Sequence, residues 1–353
     1  MTRQVHLVVP EGVADPRRPS GGNHYDRRLC HELGAAGWSV RTVEVPGAWP
    51  RAGRAGADAL AAALGGLPEG ALVVVDGLVA SSVPEVVVPA ATRLRLVVLV
   101  HLPLGVGTGD PWILGAERAV LGAASSVVAT SRWCRRWLLE HHGLDPSRVH
   151  VAHPGVDAAS PAAGTTSGGA LVAVGAVTPG KGHDLLVAAL AGIAHLSWRC
   201  VCVGALTVAP DFVARLRTDV RAAGLEERFE LAGPRTGPAL DASYDEADLL
   251  VLASRGETYG MVVTEALAHG LPVLAADVGG VPEALGAAPD GTVPGLLAPP
   301  DDVSALQDLL GAWLVDADLR ARLRAAARQR RDGLARWAET ADRVAAVLRA
   351  VAA

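Results

Sequence analysis

The chain has 353 residues, half of them apolar and a fifth charged, which is material for two hydrophobic cores and excludes a disordered polypeptide. Its formal charge of −5 is mild: 15 basic and 14 acidic residues precede Gly164, and 17 and 23 follow it. Neither half has the positive excess that phosphate-backbone binding needs, so nucleic acid is excluded as a partner.

Cys30, Cys134, Cys200 and Cys202 show no metal-ligand spacing, and Cys200 and Cys202 flank Val201 in an apolar run, as small buried thiols on one face would. That usage fits a reduced, cytoplasmic protein. No basic leader followed by an apolar core is present, and no uncharged apolar run reaches about 18 residues, so neither a signal peptide nor a membrane span is expected.

In chain order, short Val/Leu/Ala runs predict strands at Val5–Pro10, Ser39–Val45, Ala71–Asp76, Leu94–Val100, Ser126–Thr130 and Val149–Ala152. Their near-continuous hydrophobicity marks strands buried on both faces of a parallel sheet. Helices are predicted between them, including Asn23–Ala36 and Ser131–His142. Ala158–Gly169, rich in Ala, Ser, Thr, Gly and Pro, reads as a linker. The pattern then restarts with strands at Ala170–Val174, Trp198–Val203, Arg228–Ala232, Asp248–Ala253 and Pro272–Ala275. Helices around Asp184–Leu190, Pro210–Ala223 and Met261–His269 separate them, and the last stretch is helical. The fold class that follows is α/β: two doubly wound, Rossmann-like domains, residues 1–160 and 170–334, facing a central cleft. Ligands in such sheets sit at the carboxyl ends of strands, so the chemistry is sought in post-strand loops.

Four such loops stand out. Ser20-Gly21-Gly22-Asn23 precedes the first helix, and paired glycines there let an anion or a sugar hydroxyl approach backbone amides; a flexible turn with an N-cap at Asn23 is the plainer alternative. His101 ends a strand and could hydrogen-bond a ligand, although a lone histidine there is more often structural. Gly175-Ala176-Val177-Thr178-Pro179-Gly180-Lys181-Gly182 nearly matches a P-loop, but Gly182 stands where the metal-ligating hydroxyl belongs. A nucleotide-hydrolysing loop is therefore not expected; a cation at a glycine-lined helix start, suited to a diphosphate, is what remains. Lys181 is the one lysine beside 31 arginines, which suggests a requirement for a compact ammonium.

The fourth segment runs Ser254-Arg255-Gly256-Glu257-Thr258-Tyr259-Gly260-Met261-Val262-Val263-Thr264-Glu265, continuing Ala-Leu-Ala-His-Gly-Leu-Pro-Val. Glu257 lies in a loop and Glu265 on the following helix, with unpaired amides expected from about Gly260 to Val263. An anion on that turn and polyol hydroxyls at the carboxylates would suit a nucleotide sugar, with Tyr259, Gly260, Met261 and Val262 as donor-binding candidates. The helix Ser131–His142 also carries Arg132, Arg135, Arg136, Trp133 and Trp137, a pattern that could touch a membrane surface; tryptophans four apart are more often core.

The Glu257-to-Glu265 segment resembles the E-x7-E signature of family 4 glycosyltransferases with the GT-B fold. Ser20-Gly21-Gly22 is similar to that family's N-terminal glycine loop, Val128-Ala129-Thr130-Ser131 to the segment before its acceptor-domain helix, and Pro154-Gly155-Val156-Asp157 to the run ending its first domain. Lys181-Gly182 resembles its phosphate loop and Gly279-Gly280-Val281-Pro282-Glu283 its G-G-x-x-E segment. The resemblance implies retaining, metal-independent transfer from a nucleoside-diphosphate sugar to a small-molecule, glycan or lipid acceptor, with no cofactor. It implies that Glu265 binds ribose, Glu257 binds sugar hydroxyls, Lys181 offsets diphosphate charge, His101 contacts the transferred sugar and Gly22 lies near the phosphates. It also implies a C-terminal helix, residues 335–352, that returns to the first domain. The family's phosphate loop usually carries an arginine where this chain has Ala176, so Arg255 or Arg235 is expected to replace it, or else donor activation is weaker. A sugar-nucleotide epimerase on a similar fold and a degenerate, non-catalytic binding protein are the competing readings.

Overall fold

The computed structural model describes residues 3–15 and 19–353. Its first unit takes in Gly21–Gly155 together with the N-terminal strand and Ala335–Ala353; its second is built on Val156–Leu334.

The first unit's elements are β1 (Arg3–Pro10), α1 (Gly21–Ala35), β2 (Trp38–Val45), α2 (Gly53–Gly65), β3 (Leu72–Asp76), α3 (Gly77–Ala80), α4 (Pro84–Ala90), β4 (Arg95–Val100), α5 (Pro111–Ala123), β5 (Ser126–Ala129), α6 (Arg132–His142) and β6 (Val149–Val151). Its six strands are all parallel, in the order β2-β1-β3-β4-β5-β6. Every residue of β3 and β5, and Leu96–Val100 of β4, is buried, as continuous apolar runs between two helical layers require. Each Val or Leu so buried is worth roughly 1.5–3 kcal/mol against exposure.

The second unit holds β7 (Ala170–Val174), α7 (His183–Gly192), β8 (Arg199–Val203), α8 (Pro210–Ala222), β9 (Phe229–Gly233), α9 (Pro238–Asp245), β10 (Leu249–Leu252), α10 (Met261–Ala268), β11 (Val273–Ala276), α11 (Val281–Leu285), β12 (Gly295–Ala298), α12 (Val303–Val315) and α13 (Ala317–Arg331). Its parallel order β12-β11-β10-β7-β8-β9 reverses direction between β7 and β10. That switch point is where the loops following the two strands diverge and leave a crevice. Cys200 and Cys202 are both fully buried in the core, on one face of β8.

The last helix, α14 (Trp337–Ala352), belongs to the first unit and packs on α1. Trp337 lies edge-on to Tyr25 with 5.6 Å between ring centres, Thr340 donates to the His153 carbonyl at 2.8 Å, and Gly155 leaves room for the Trp337 backbone.

Three local readings change. The first helix starts at Gly21, so the paired glycines are its first turn and Asn23 is not the cap. Ala158–Gly169 is not a free linker: Ala162 donates to the His269 carbonyl at 2.7 Å, Thr165 donates its amide to Asp248 at 2.6 Å, and Trp313 donates to the Gly168 carbonyl at 2.8 Å. β12 has no counterpart among the predicted strands. Trp133 and Trp137 pack against the first unit's core, Trp137 stacking on His141 at 4.2 Å.

Candidate active site

In the second unit the loops after β7 and β10 lie together at the switch point. The Arg255 amide donates to the Gly180 carbonyl at 2.9 Å, tying one loop to the other. Gly182, at φ 65°, turns the chain into α7, and a side-chain carbon there would collide with the Ala253 carbonyl. Only glycine meets both demands. Lys181 is thereby placed so that Nζ reaches Glu257 Oε1 at 2.5 Å, and Ser254 donates its hydroxyl to the same oxygen at 2.8 Å. The Lys181 side chain is 33% exposed and that of Glu257 only 11%.

Glu257 is supported from behind by Gly279 and Gly280. The Gly280 amide donates to the Glu257 carbonyl at 3.0 Å, and a side chain at Gly279 would strike that same carbonyl. The following residues enter α10 through Gly260, with Tyr259 buried, and Met261 and Val262 occupy the first turn. First-turn amides have no intrahelical acceptor. The expected run of free amides is shorter than the sequence indicates, because Val263 donates to the Gly260 carbonyl at 2.9 Å.

Glu265 is one turn further along α10 and accepts from the Tyr244 hydroxyl at 2.8 Å. Tyr244 is buried and stacks on His269, whose Nδ1 lies 2.8 Å from Asp245. Burial pushes the Glu265 carboxyl up; the Tyr244 hydrogen bond opposes this, and Asp157 and Asp241 add to it.

Arg255 does not point into open space. Its guanidinium grips both oxygens of Asp184 at 2.9 and 2.8 Å, donates to Asp301 at 2.7 Å and to the Pro179 carbonyl at 2.5 Å. Burial works against it, yet this fork holds the Asp184 carboxyl below its usual range. Arg235 follows β9, two strands from β7, where it donates to Ser243 at 2.9 Å and lies 3.9 Å from Glu230. Neither guanidinium is an unengaged stand-in for the arginine absent at Ala176.

In the first unit, His101 follows β4 directly. Its Nε2 is 2.9 Å from Asp26 Oδ1 and 3.8 Å from Asp76 Oδ2, both carboxylates being buried. Gly22 lies against the imidazole, where a side-chain carbon would stand 3.2 Å from the ring. The stretch after His101 is fastened by buried Glu117, which accepts from the Leu104 and Gly105 amides at 2.7 and 3.1 Å and meets His142 Nε2 at 2.9 Å. Sequence reasoning missed Asp26, Asp76, Tyr244 and Ser254; a carboxylate ending a strand, as Asp76 does, was the one available signal. Among the described residues, Asp26, Asp76 and His101 form the one group of three side chains able to approach a common metal. Two ligands of a tetrahedral zinc would stand roughly 3.3 Å apart, so the 2.9 Å contact is hydrogen-bond geometry instead.

Residues 166–330 match the family described as Glycosyl transferases group 1, and residues 19–160 match Glycosyltransferase Family 4. A D-inositol 3-phosphate glycosyltransferase from Catenulispora acidiphila is 33% identical over 296 residues, covering 78% of this chain and 69% of that protein. The chain belongs to the family 4 glycosyltransferases.

Another relative of this family 4 glycosyltransferase, a D-inositol 3-phosphate glycosyltransferase from Kineococcus radiotolerans, is 34% identical, covering 66% of the chain and 59% of that protein. Among solved structures, sucrose-phosphate synthase from Thermosynechococcus elongatus superposes with a TM-score of 0.81 at 22% identity, over 99% of both chains. Anabaena HepE, solved in complex with UDP-glucose, gives 0.79 at 18% identity over 98% and 99%. The two six-stranded parallel sheets, with the C-terminal helix on α1, are the GT-B fold. Family 4 members are enzymes that take a sugar from a nucleotide-activated donor. Among the described residues, no helix of this one is long and apolar enough to cross a membrane.

Proposed function

We propose that the enzyme transfers a sugar from a nucleoside-diphosphate donor to an acceptor hydroxyl, with retention at the anomeric carbon and without a metal. The observation that carries this reading is the bracket of Glu257 and Glu265 around the first turn of α10, with Lys181 at the Glu257 end. A diphosphate suits the helix start and the ammonium, both of which complement negative charge. Glu265, steadied by Tyr244, accepts from the ribose hydroxyls, and Glu257 accepts from the sugar.

In the reaction the bond from the anomeric carbon to the phosphate oxygen breaks and the acceptor oxygen bonds to that carbon on the same face. The acceptor proton passes to the departing diphosphate. Lys181 and the α10 amides stabilise the charge that develops there, so catalysis rests on positioning and charge and not on an enzymic nucleophile. His101, with Gly22 beside it, contacts the transferred sugar. Arg255 ties the β10 loop to the β7 loop and α7 through the Pro179 carbonyl and Asp184, and to the segment after β12 through Asp301, and Arg235 stays at the edge of the donor site.

UDP leads as the donor nucleotide because HepE is solved with UDP-glucose, and inositol 3-phosphate leads as acceptor because the relatives are named for it. The test measures nucleotide release from UDP- and GDP-sugars, with and without inositol 3-phosphate and other polyol acceptors, in EDTA. Acceptor-dependent release of UDP with an α-linked product from an α-linked donor is expected. Isomerised donor without acceptor would establish an epimerase, and donor binding without turnover a binding protein; either result overturns the proposal.

A further inference from the structure

His101, Asp26 and Asp76 come from three separate elements of the first unit and meet around one imidazole. Asp26 sits in the second turn of α1, Asp76 ends β3 and accepts from the Leu78 amide at 2.6 Å, and His101 follows β4. Asp26 is 1% exposed, and its Oδ2 is buried with no hydrogen-bond partner. A buried carboxylate with so few donors is strongly unfavourable unless a cation faces it. The group facing it is the Nε2 of His101, which Asp76 approaches as well. The ring is fixed on its other sides by Gly22 and by Tyr25, which lies edge-on at 5.1 Å. The other ring nitrogen, Nδ1, has no protein partner among the described residues.

We propose that Asp26 and Asp76 are positioning residues that keep His101 an imidazolium with its Nδ1–H free to donate. The histidine then offers the transferred sugar a charged hydrogen-bond donor, a role that rests on the reading of His101 given above. A neutral imidazole donating to Asp26 through Nε2 would present a bare lone pair at Nδ1, an acceptor where the reaction needs a donor.

The charges acting on the ring agree. Burial alone would lower its pKa, but the charge and hydrogen bond of Asp26, and after them the charge of Asp76, outweigh burial and raise it to about 9. Burial and the Asp26 charge push the Asp76 carboxyl up in turn, so Asp26 is the main counter-charge and Asp76 the lesser one. The Tyr25 hydroxyl is spent on the Ala152 carbonyl at 3.0 Å, and Thr130 approaches the backbone oxygen of His101 instead of the ring. Arg343 of α14 is engaged with His153 at 2.9 Å.

Nitrogen-15 NMR of imidazole-labelled full-length enzyme tests this, with His101→Gln identifying the resonance. The His101 ring should stay cationic through neutral pH and titrate near 9; in Asp26→Asn the transition should fall toward the ordinary value of 6.5. A wild-type ring titrating at or below 6.5, or one that Asp26→Asn leaves unmoved, overturns the proposal. Transfer rates give the second arm. Asp26→Asn should keep most of its rate near about pH 6 and lose roughly tenfold or more near about pH 8, with UDP affinity unchanged and Asp26→Glu restoring part of the loss. An equal loss at both pH values means a structural role only and sinks the idea. Should Asp26→Asn not fold, Asp76→Asn is titrated instead and must lower the His101 transition in the same direction. Absence of transfer with every donor would refute the glycosyl-transfer reading, while the titration still decides the imidazolium.

Discussion

Lys181 and Glu257 come from different loops and meet as an ion pair, so a diphosphate bound at the proposed donor site would compete with Glu257 for the same ammonium. Glu257→Ala should therefore lower turnover by roughly 10²–10³ while nucleotide affinity holds or rises a few-fold, since the competing carboxylate is gone. Glu265→Ala should weaken nucleotide and donor alike, and Lys181→Ala should cost both affinity and rate. Calorimetry with UDP beside steady-state kinetics separates these cases; equal nucleotide affinity in the wild type and both glutamate variants would remove the ribose role from Glu265. Arg255 is read differently. Its four contacts on Asp184, Asp301 and Pro179 make it a fastening between loops, and Asp301 adopts a left-handed backbone, φ 56°, where it meets the guanidinium. Arg255→Ala should lower the melting temperature by several degrees, equivalent to about 1–3 kcal/mol, with a smaller effect on UDP affinity than Lys181→Ala. A variant of unchanged stability that binds UDP far more weakly would return Arg255 to the phosphates. Lys181 stands out in the sequence through its glycine-flanked loop, and Glu257 with Glu265 through a spacing of eight residues; each is a local signal, whereas the Lys181–Glu257 contact itself spans 76 residues. The sequence could not expose Asp184 or Asp301 as partners of Arg255, because those pairings span 71 and 46 residues and exist only once the sheet is built.

Among the elements, strands were legible wherever apolar residues ran without interruption. β12 escaped because Gly295–Ala298 is short and hemmed in by Pro294 and Pro299, and its register against β11 supplies what its composition does not. The start of α1 was misplaced because glycine is a poor helix former; here packing against His101 takes precedence over propensity. The supposed linker misled for the opposite reason, since small polar residues that read as flexible are pinned by Asp248 and Trp313. α14 was legible as a helix, and its return to the first unit only through the family resemblance; that it packs on α1 is the structure's finding. Its Trp337, Val344 and Leu348 are buried, and the Arg95 guanidinium donates to the Val351 carbonyl at 3.3 Å. Ending the chain before Arg336 would expose these contacts and the facing side of α1. The truncated protein should unfold at lower denaturant concentration by at least about 3 kcal/mol, read from urea curves followed by tryptophan fluorescence. Full stability after truncation would refute the assignment.

At the scale of the whole molecule, pH acts on stability through buried titratable groups as well as through the site. His183 opens α7 two residues after Lys181, 3% exposed, with its Nδ1 buried and unpartnered. Burial, aided by the Lys181 charge, lowers its pKa from 6.5 to about 4. The unfolded chain thus takes up a proton near 6.5 that the folded chain refuses until about 4, so stability is lost as pH falls through that window. The full effect is about 3 kcal/mol, and His183→Leu should flatten the acid limb of a melting-temperature profile; an unchanged slope would show that another group controls it. The 31 arginines have a different consequence. With Lys181 the single lysine of the sequence, an amine-acylating reagent meets one side-chain target in the chain, and that target lies where the donor is expected to bind. Peptide mass mapping needs no engineered probe to watch it. The Glu257 ion pair should slow acylation of Lys181 in the free enzyme, Glu257→Ala should speed it, and a saturating nucleotide sugar should block it; labelling that proceeds at the same rate with and without donor would place the ammonium outside the phosphate site.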